Sequence, residues 1–176
     1  LGTQTFNVGT TTVTYTAKDA ANNSVTCSFT VTISDNINPT LSCPANISQN
    51  VTSGCSKSIA VTDPTYSDNC TVTTLTWAMT GATTGTSAAT GINVLGTQTF
   101  NVGNTTVTYT VKDAANNSVS CSFTVTISDN INPTLSCPAN ISQNVTSGCS
   151  KSVVVTDPTY SDNCSVTTLT WAMTGA

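Results

Sequence analysis

The sequence contains no His, no Arg and no Glu. Without His there is no Ser-His-Asp or Cys-His nucleophile pair and no imidazole metal ligand. Without Arg there is no bidentate phosphate clamp, and a pI near 4.1 argues against a nucleic-acid partner. Charge of either sign is scarce: eight Asp and four Lys make up 7% of the 176 residues. No apolar run reaches the ~18 residues that cross a bilayer. No signal-peptide pattern is visible and the chain opens mid-pattern, which reads as a window cut from something longer. What is present is Thr at roughly one position in five and Asn at roughly one in ten. Hydrophobic residues at 38% are enough to build cores. Few helix formers and many Thr and Val predict an all-β chain.

The strongest signal is internal repetition. LGTQTFNVG stands at Leu1 and again at Leu95, and LSCPANISQNVTSGCS at Leu41 and again at Leu135, both at an offset of 94 residues. Residues 1–82 align with 95–176 without a gap, differing only at Thr10/Asn104, Ala17/Val111, Thr26/Ser120, Ile59/Val153, Ala60/Val154 and Thr71/Ser165. A unit of that length is a small domain with its own core rather than a solenoid turn. The Pro-containing SDNINPT segments at 34–40 and 128–134 read as short, stiff linkers. The expected organisation is the late part of one bead (1–36), one whole bead (37–130) and the early part of a third (131–176).

Within a bead the hydrophobic period is two. Cys121, Phe123, Val125 and Ile127 alternate with Ser and Thr; so do Val107, Tyr109 and Val111, and Leu75, Trp77 and Met79. Half-buried strands with a Thr face to water follow. They are expected at about 41–51 (broken), 56–62, 71–80, 92–94, 97–101, 105–112 and 119–127, separated by the turn segments DPTYSDN, TGATTGTSAATG and DAANNS. Short strands spaced in this way predict tandem immunoglobulin-like β-sandwich beads of about 94 residues each. The DAANNS turn should close a hairpin with Asn116 or Asn117 in the left-handed region.

Each repeat carries four cysteines without a CxxC spacing, which points to disulfides and an oxidising compartment. Three pairings are open. The favoured set is Cys43–Cys121, joining the first and last strands of a sandwich, with Cys55–Cys70 and its copy Cys149–Cys164. Cys27 and Cys137 then pair with neighbouring copies. A Cys27–Cys43 bond stapling the linker is the rival.

PTLSCPANI, GCSKS, DPTYSDNC and FNVGNTTVTYTVKDAANNSVSCSFTVTISDN together resemble the hyalin repeat, or HYR, domain. The most specific parts are Cys43-Pro44, Phe100 to Tyr109, and Asp113 to Cys121. Asn116 stands where the family usually has Gly. The resemblance implies an Ig-like module found in tandem in extracellular and bacterial surface proteins, with adhesive or scaffolding roles and no catalytic residues.

Other candidates each have a plainer reading. Asp35 and Asp129 at the bead boundaries are the calcium candidates, though Asp in turns usually caps its own backbone and no cofactor is otherwise expected. Asn22, Asn46, Asn50, Asn69, Asn104, Asn116, Asn140, Asn144 and Asn163 head Asn-x-Ser/Thr triplets and are glycosylation candidates. Thr106, Thr108 and Thr110 form a ladder that an ice-binding face would need, but Thr is also the ordinary polar strand residue. Trp77 and Trp171 are expected in cores rather than on a sugar-binding platform.

The functional expectation is a non-enzymatic extracellular filament or adhesin stalk. Its partner is itself, head to tail, as a continuous chain or as a polymer in which one molecule's tail completes another's head. An adhesion module binding glycans or protein by avidity is the alternative.

Overall fold

The protein is described by a computed structural model covering residues 2–175. All regular structure in it is β-strand. The first two strands, β1 (Gly9–Lys18) and β2 (Ser24–Ile33), form an antiparallel hairpin ahead of the whole bead. The bead holds β3 (Thr40–Ser42), β4 (Ile47–Asn50), β5 (Ser56–Ala60), β6 (Thr65–Ser67), β7 (Val72–Gly81), β8 (Gly85–Thr86), β9 (Thr97–Asn101), β10 (Gly103–Asp113) and β11 (Ser118–Ser128). After it, among the described residues, come only β12 (Thr134–Ser136) and β13 (Thr159–Ser161), paired antiparallel.

One sheet runs β4-β11-β10-β7-β8, and two short pairs, β3-β6 and β5-β9, supply the other side. The segment read as one broken strand at 41–51 is broken, and the halves serve different sheets. β3 pairs antiparallel with β6, whereas β4 runs parallel to β11. Between the halves lies Cys43-Pro44, where proline cannot donate to a ladder. This is an all-β sandwich of immunoglobulin-like kind.

The alternation seen in the sequence becomes the core. Val107, Tyr109 and Val111 of β10, Phe123, Val125 and Ile127 of β11, and Leu75 and Met79 of β7 are buried together with Phe100 and Ile59 of the short pairs. Tyr109 lies opposite Trp77 on one side and Cys121 on the other, and its ring stacks with that of Phe123. At ~1.5–3 kcal/mol per buried large side chain, this cluster is the main source of the bead's stability. Burial also pushes the Tyr109 phenol above its ordinary value.

Some details differ from the sequence expectation. Residues 92–94 are not a strand; Ile92 makes a single bridge to Leu75. The three-residue β6 and two-residue β8 lie inside segments read as turns. Trp77 is packed at the edge of the core, but Trp171, its counterpart, is 82% exposed. The hairpin turn behaves as expected: Asn116 has φ 70° and its counterpart Asn22 has φ 69°. Gly81 and Gly103, at φ 103° and 121°, let the ends of β7 and β10 approach closely. A Cβ on Gly81 would strike the Asn104 carbonyl, and one on Gly103 would lie 2.8 Å from the Ala82 Cβ.

Candidate functional site: the junction between beads

Side chains from three places meet where the linker enters the whole bead. Asp35 comes from the linker, Asp68 and Asn69 from the loop before β7, Asp113 from the end of β10 and Asn117 from the turn that follows it. Asp113 is buried and holds its turn by accepting from the Asn117 amide (2.8 Å) and side chain (2.7 Å). The Asn117 side chain also donates to the Asp35 carbonyl at 3.2 Å, tying turn to linker. Asn69 donates from its side chain to Asp35 Oδ1 at 3.2 Å, and the Cys70 amide donates to Asp68 Oδ2 at 3.1 Å.

Carboxylate oxygens of Asp35, Asp68 and Asp113 lie within 4.8 Å of one another. Asp35 Oδ2 and Asp68 Oδ1 are buried and have no hydrogen-bond partner. The Ile37 amide above all, then the Asn69 side chain and the Cys70 thiol, holds the Asp35 carboxyl below its ordinary value. That same hydrogen bond with Asp35, with burial behind it, pushes the Cys70 thiol up. Three carboxylates are part of the six to eight oxygens that calcium takes. Asp35 and Asp129 each also accept from the amide two residues on, Ile37 and Ile131, which is the turn-former role.

The next junction repeats the pattern. Asn163 donates to Asp129 Oδ2 at 3.2 Å and the Cys164 amide donates to Asp162 Oδ2 at 3.0 Å. Here the preceding bead takes part directly: the Asn163 side chain donates to the Gly54 carbonyl at 2.9 Å.

The cysteines require a correction. Cys43, just past β3, is bonded to Cys121 in β11, with Cα atoms 5.8 Å apart, closing the two layers of one bead. Because Cys43 is engaged there, the rival Cys27–Cys43 bond does not form. Cys55 is not bonded to Cys70, nor Cys149 to Cys164. Cys55 is bonded to Cys164 instead, with Cα atoms 4.8 Å apart, and this bond crosses from one bead to the next. The physical reason is position: the Cys55 loop follows β4 at the bead's far end, where it meets the Asp162-Asn163-Cys164 loop of the following bead. Cys27, Cys70, Cys137 and Cys149 are unbonded and exposed.

Of the glycosylation candidates, Asn22, Asn46, Asn50, Asn69, Asn104, Asn116, Asn140 and Asn144 are exposed and Asn163 is half-buried. Asn69 and Asn163 spend their side-chain amides on the junction, so a sugar on either would displace Asp35 or Asp129. Thr106 is exposed, while Thr108 and Thr110 are half-covered. Beside β7 lies an open groove of about 470 Å³, lined by Trp77, Thr74, Thr76, Ser87, Lys112 and Asn116 among others.

The recurrence of Asp-Asn at 35–36, 68–69, 129–130 and 162–163 is the sequence signal that could have found this junction. The family model of the HYR domain matches residues 2–33 and again residues 34–127. The chain belongs to the HYR domain family. HYR domains occur in extracellular proteins, and the two disulfides fit an oxidising compartment.

Proposed function

We propose that this chain is a non-enzymatic structural segment: the shaft of an extracellular filament or adhesin stalk built from near-identical HYR beads, with no cofactor. The observation that carries the reading is the junction. Linker, loop and turn are tied by hydrogen bonds, and a disulfide runs from one bead to the next. Such a joint resists bending and separation, which is what a shaft needs and a single binding domain does not. Beads this alike offer length and stiffness rather than distinct active sites. The test is imaging of the native object by electron microscopy. A shaft predicts an unbranched particle with an axial repeat of roughly 40–45 Å, from strands of ~30 Å plus ~10–15 Å of linker. Isolated globular particles would overturn it.

The groove beside Trp77 favours a second reading, a glycan-binding module acting by avidity, because an aromatic edge among hydroxyls and amides suits a sugar ring. Reproducible binding of one bead on a glycan array, lost in Trp77→Ala, would support it.

A further inference from the structure

The Cys55–Cys164 bond has a repeat-shifted counterpart on each side. Cys164 is the copy of Cys70 one repeat later, and Cys149 is the copy of Cys55. The surroundings of unbonded Cys70 match those of bonded Cys164. Each amide donates to the equivalent carboxylate, Cys70 to Asp68 Oδ2 at 3.1 Å and Cys164 to Asp162 Oδ2 at 3.0 Å. Each is preceded by an Asn that donates to the linker aspartate at 3.2 Å, Asn69 to Asp35 and Asn163 to Asp129. The side chain of that Asn lies against the sulfur in both, at 3.3 Å for Cys70 and 3.7 Å for Cys164. What Cys164 has and Cys70 lacks is the Gly54-Cys55 loop of a preceding bead, whose Gly54 carbonyl takes the Asn163 amide. Cys70 therefore sits among the same hydrogen bonds as a bonded half-cystine, its thiol hydrogen-bonded to Asp35 rather than joined to a second sulfur.

We propose that Cys70 and Cys149 are the two halves of an inter-repeat staple, Cys70 receiving the Gly-Cys-Ser loop of a preceding copy of this repeat and Cys149 entering the Asp-Asn-Cys loop of a following one. The preceding or following copy can lie in the same polypeptide or in a second molecule; the loop chemistry is the same. Closing each bond removes two thiol protons and two electrons, which pass to a low-molecular-weight disulfide that is reduced to two thiols. The staple spans 109 residues, more than the 94-residue repeat, so successive staples overlap. Where the copies lie in one polypeptide, every peptide bond between the first and last staple lies inside at least one closed loop. One backbone cut in that stretch leaves the array covalently joined. This property does not depend on whether the array serves as a shaft or as a binding surface.

The test oxidises the 176-residue chain with glutathione disulfide, then separates it by denaturing electrophoresis without reductant. A ladder at multiples of 18.0 kDa is expected, collapsing with reductant. Digestion of the ladder bands with Lys- and Asp-specific proteases, which separates Cys149 from Cys121, should yield fragment 68–112 joined to fragment 129–151 through Cys70 and Cys149. Cys70→Ser should remove that peptide and leave Cys149 open to alkylation, while Cys43–Cys121 remains, showing that the bead still folds. Recovery of Cys70 joined to Cys55, or of Cys70 and Cys149 both alkylated after oxidation, overturns the proposal. Electrophoresis of native material with reductant separates the two sources: a band near 18 kDa means separate molecules, and a very long polypeptide means one chain.

Discussion

Nearly the same sequence occurs twice in this chain, once inside a whole bead and once in a partial one, and it folds differently in the two places. Residues 72–81 form β7, flanked by β10 and β8. Residues 166–175 repeat them and form no strand. Leu75 is 0% exposed and Met79 5%, yet their copies Leu169 and Met173 are 46% and 86% exposed. β4 and β5 likewise have no strand counterparts at 141–144 and 150–154. The copies of their partners, β11 and β9, do not fall within residues 131–176. By contrast, β3-β6 recurs as β12-β13 and β10-β11 has its copy in β1-β2, because both members of each pair are present. A strand here exists where its ladder partner exists. Propensity is equal in the two copies, so cross-strand pairing and burial decide.

The largest break in this comparison should come from the aromatic core. Phe123 is 3% exposed and its copy Phe29 is 47% exposed. Phe123→Ala should cost about 3–5 kcal/mol in urea denaturation, and Phe29→Ala within about 0.5 kcal/mol of nothing. Equal losses would mean that the tail hairpin has its own core. Next comes the disulfide within the bead. Cys43→Ser should lower stability by about 2–4 kcal/mol, whereas the same change at its unbonded copy Cys137 should leave the whole bead's midpoint unmoved.

A smaller effect should be the same in both copies. Asn116 and Asn22 both hold the left-handed region in a local turn, so Ala at either should loosen its hairpin by about 1 kcal/mol, read as faster amide exchange in β10-β11 and β1-β2. The smallest is a pH effect at the linker. The folded Asp35 carboxyl lies below its ordinary value, so it contributes to the junction above the unfolded value and that contribution is lost as pH falls through the folded one. The Ile37 amide and Asn69 side-chain signals should therefore shift only on acidification below the usual carboxylate range, with no change between pH 7 and 5.

Much of the fold was legible because its strands alternate cleanly. The paired strands β7, β10 and β11 follow from Leu75, Tyr109 and Phe123, and the hairpin turn from Asn116. The two- and three-residue strands were not, since β8 and β6 are too short to show a period and sit among Gly, Ser and Asp. The junction was half legible. Asp35 and Asp129 marked the boundary, but nothing local said that Asp68 and Asp113 would converge on it. The second disulfide was misread for a reason peculiar to repeats. Cys70 and Cys164 have nearly identical neighbours, so the sequence cannot say whether Cys55 reaches within its bead or into the next; the direction of the loop after β4 decides.

That choice is the account's central claim, and one non-reducing peptide map tests it most directly. Complete cleavage of the oxidised 176-residue monomer after Lys18, Lys57, Lys112 and Lys151 gives five fragments. If beads are bonded to one another, fragments 19–57, 113–151 and 152–176 stay together through Cys43–Cys121 and Cys55–Cys164, and fragment 58–112 leaves alone with Cys70 alkylated. If fragment 58–112 remains attached to fragment 19–57, the bond lies within the bead and the stapled junction is wrong.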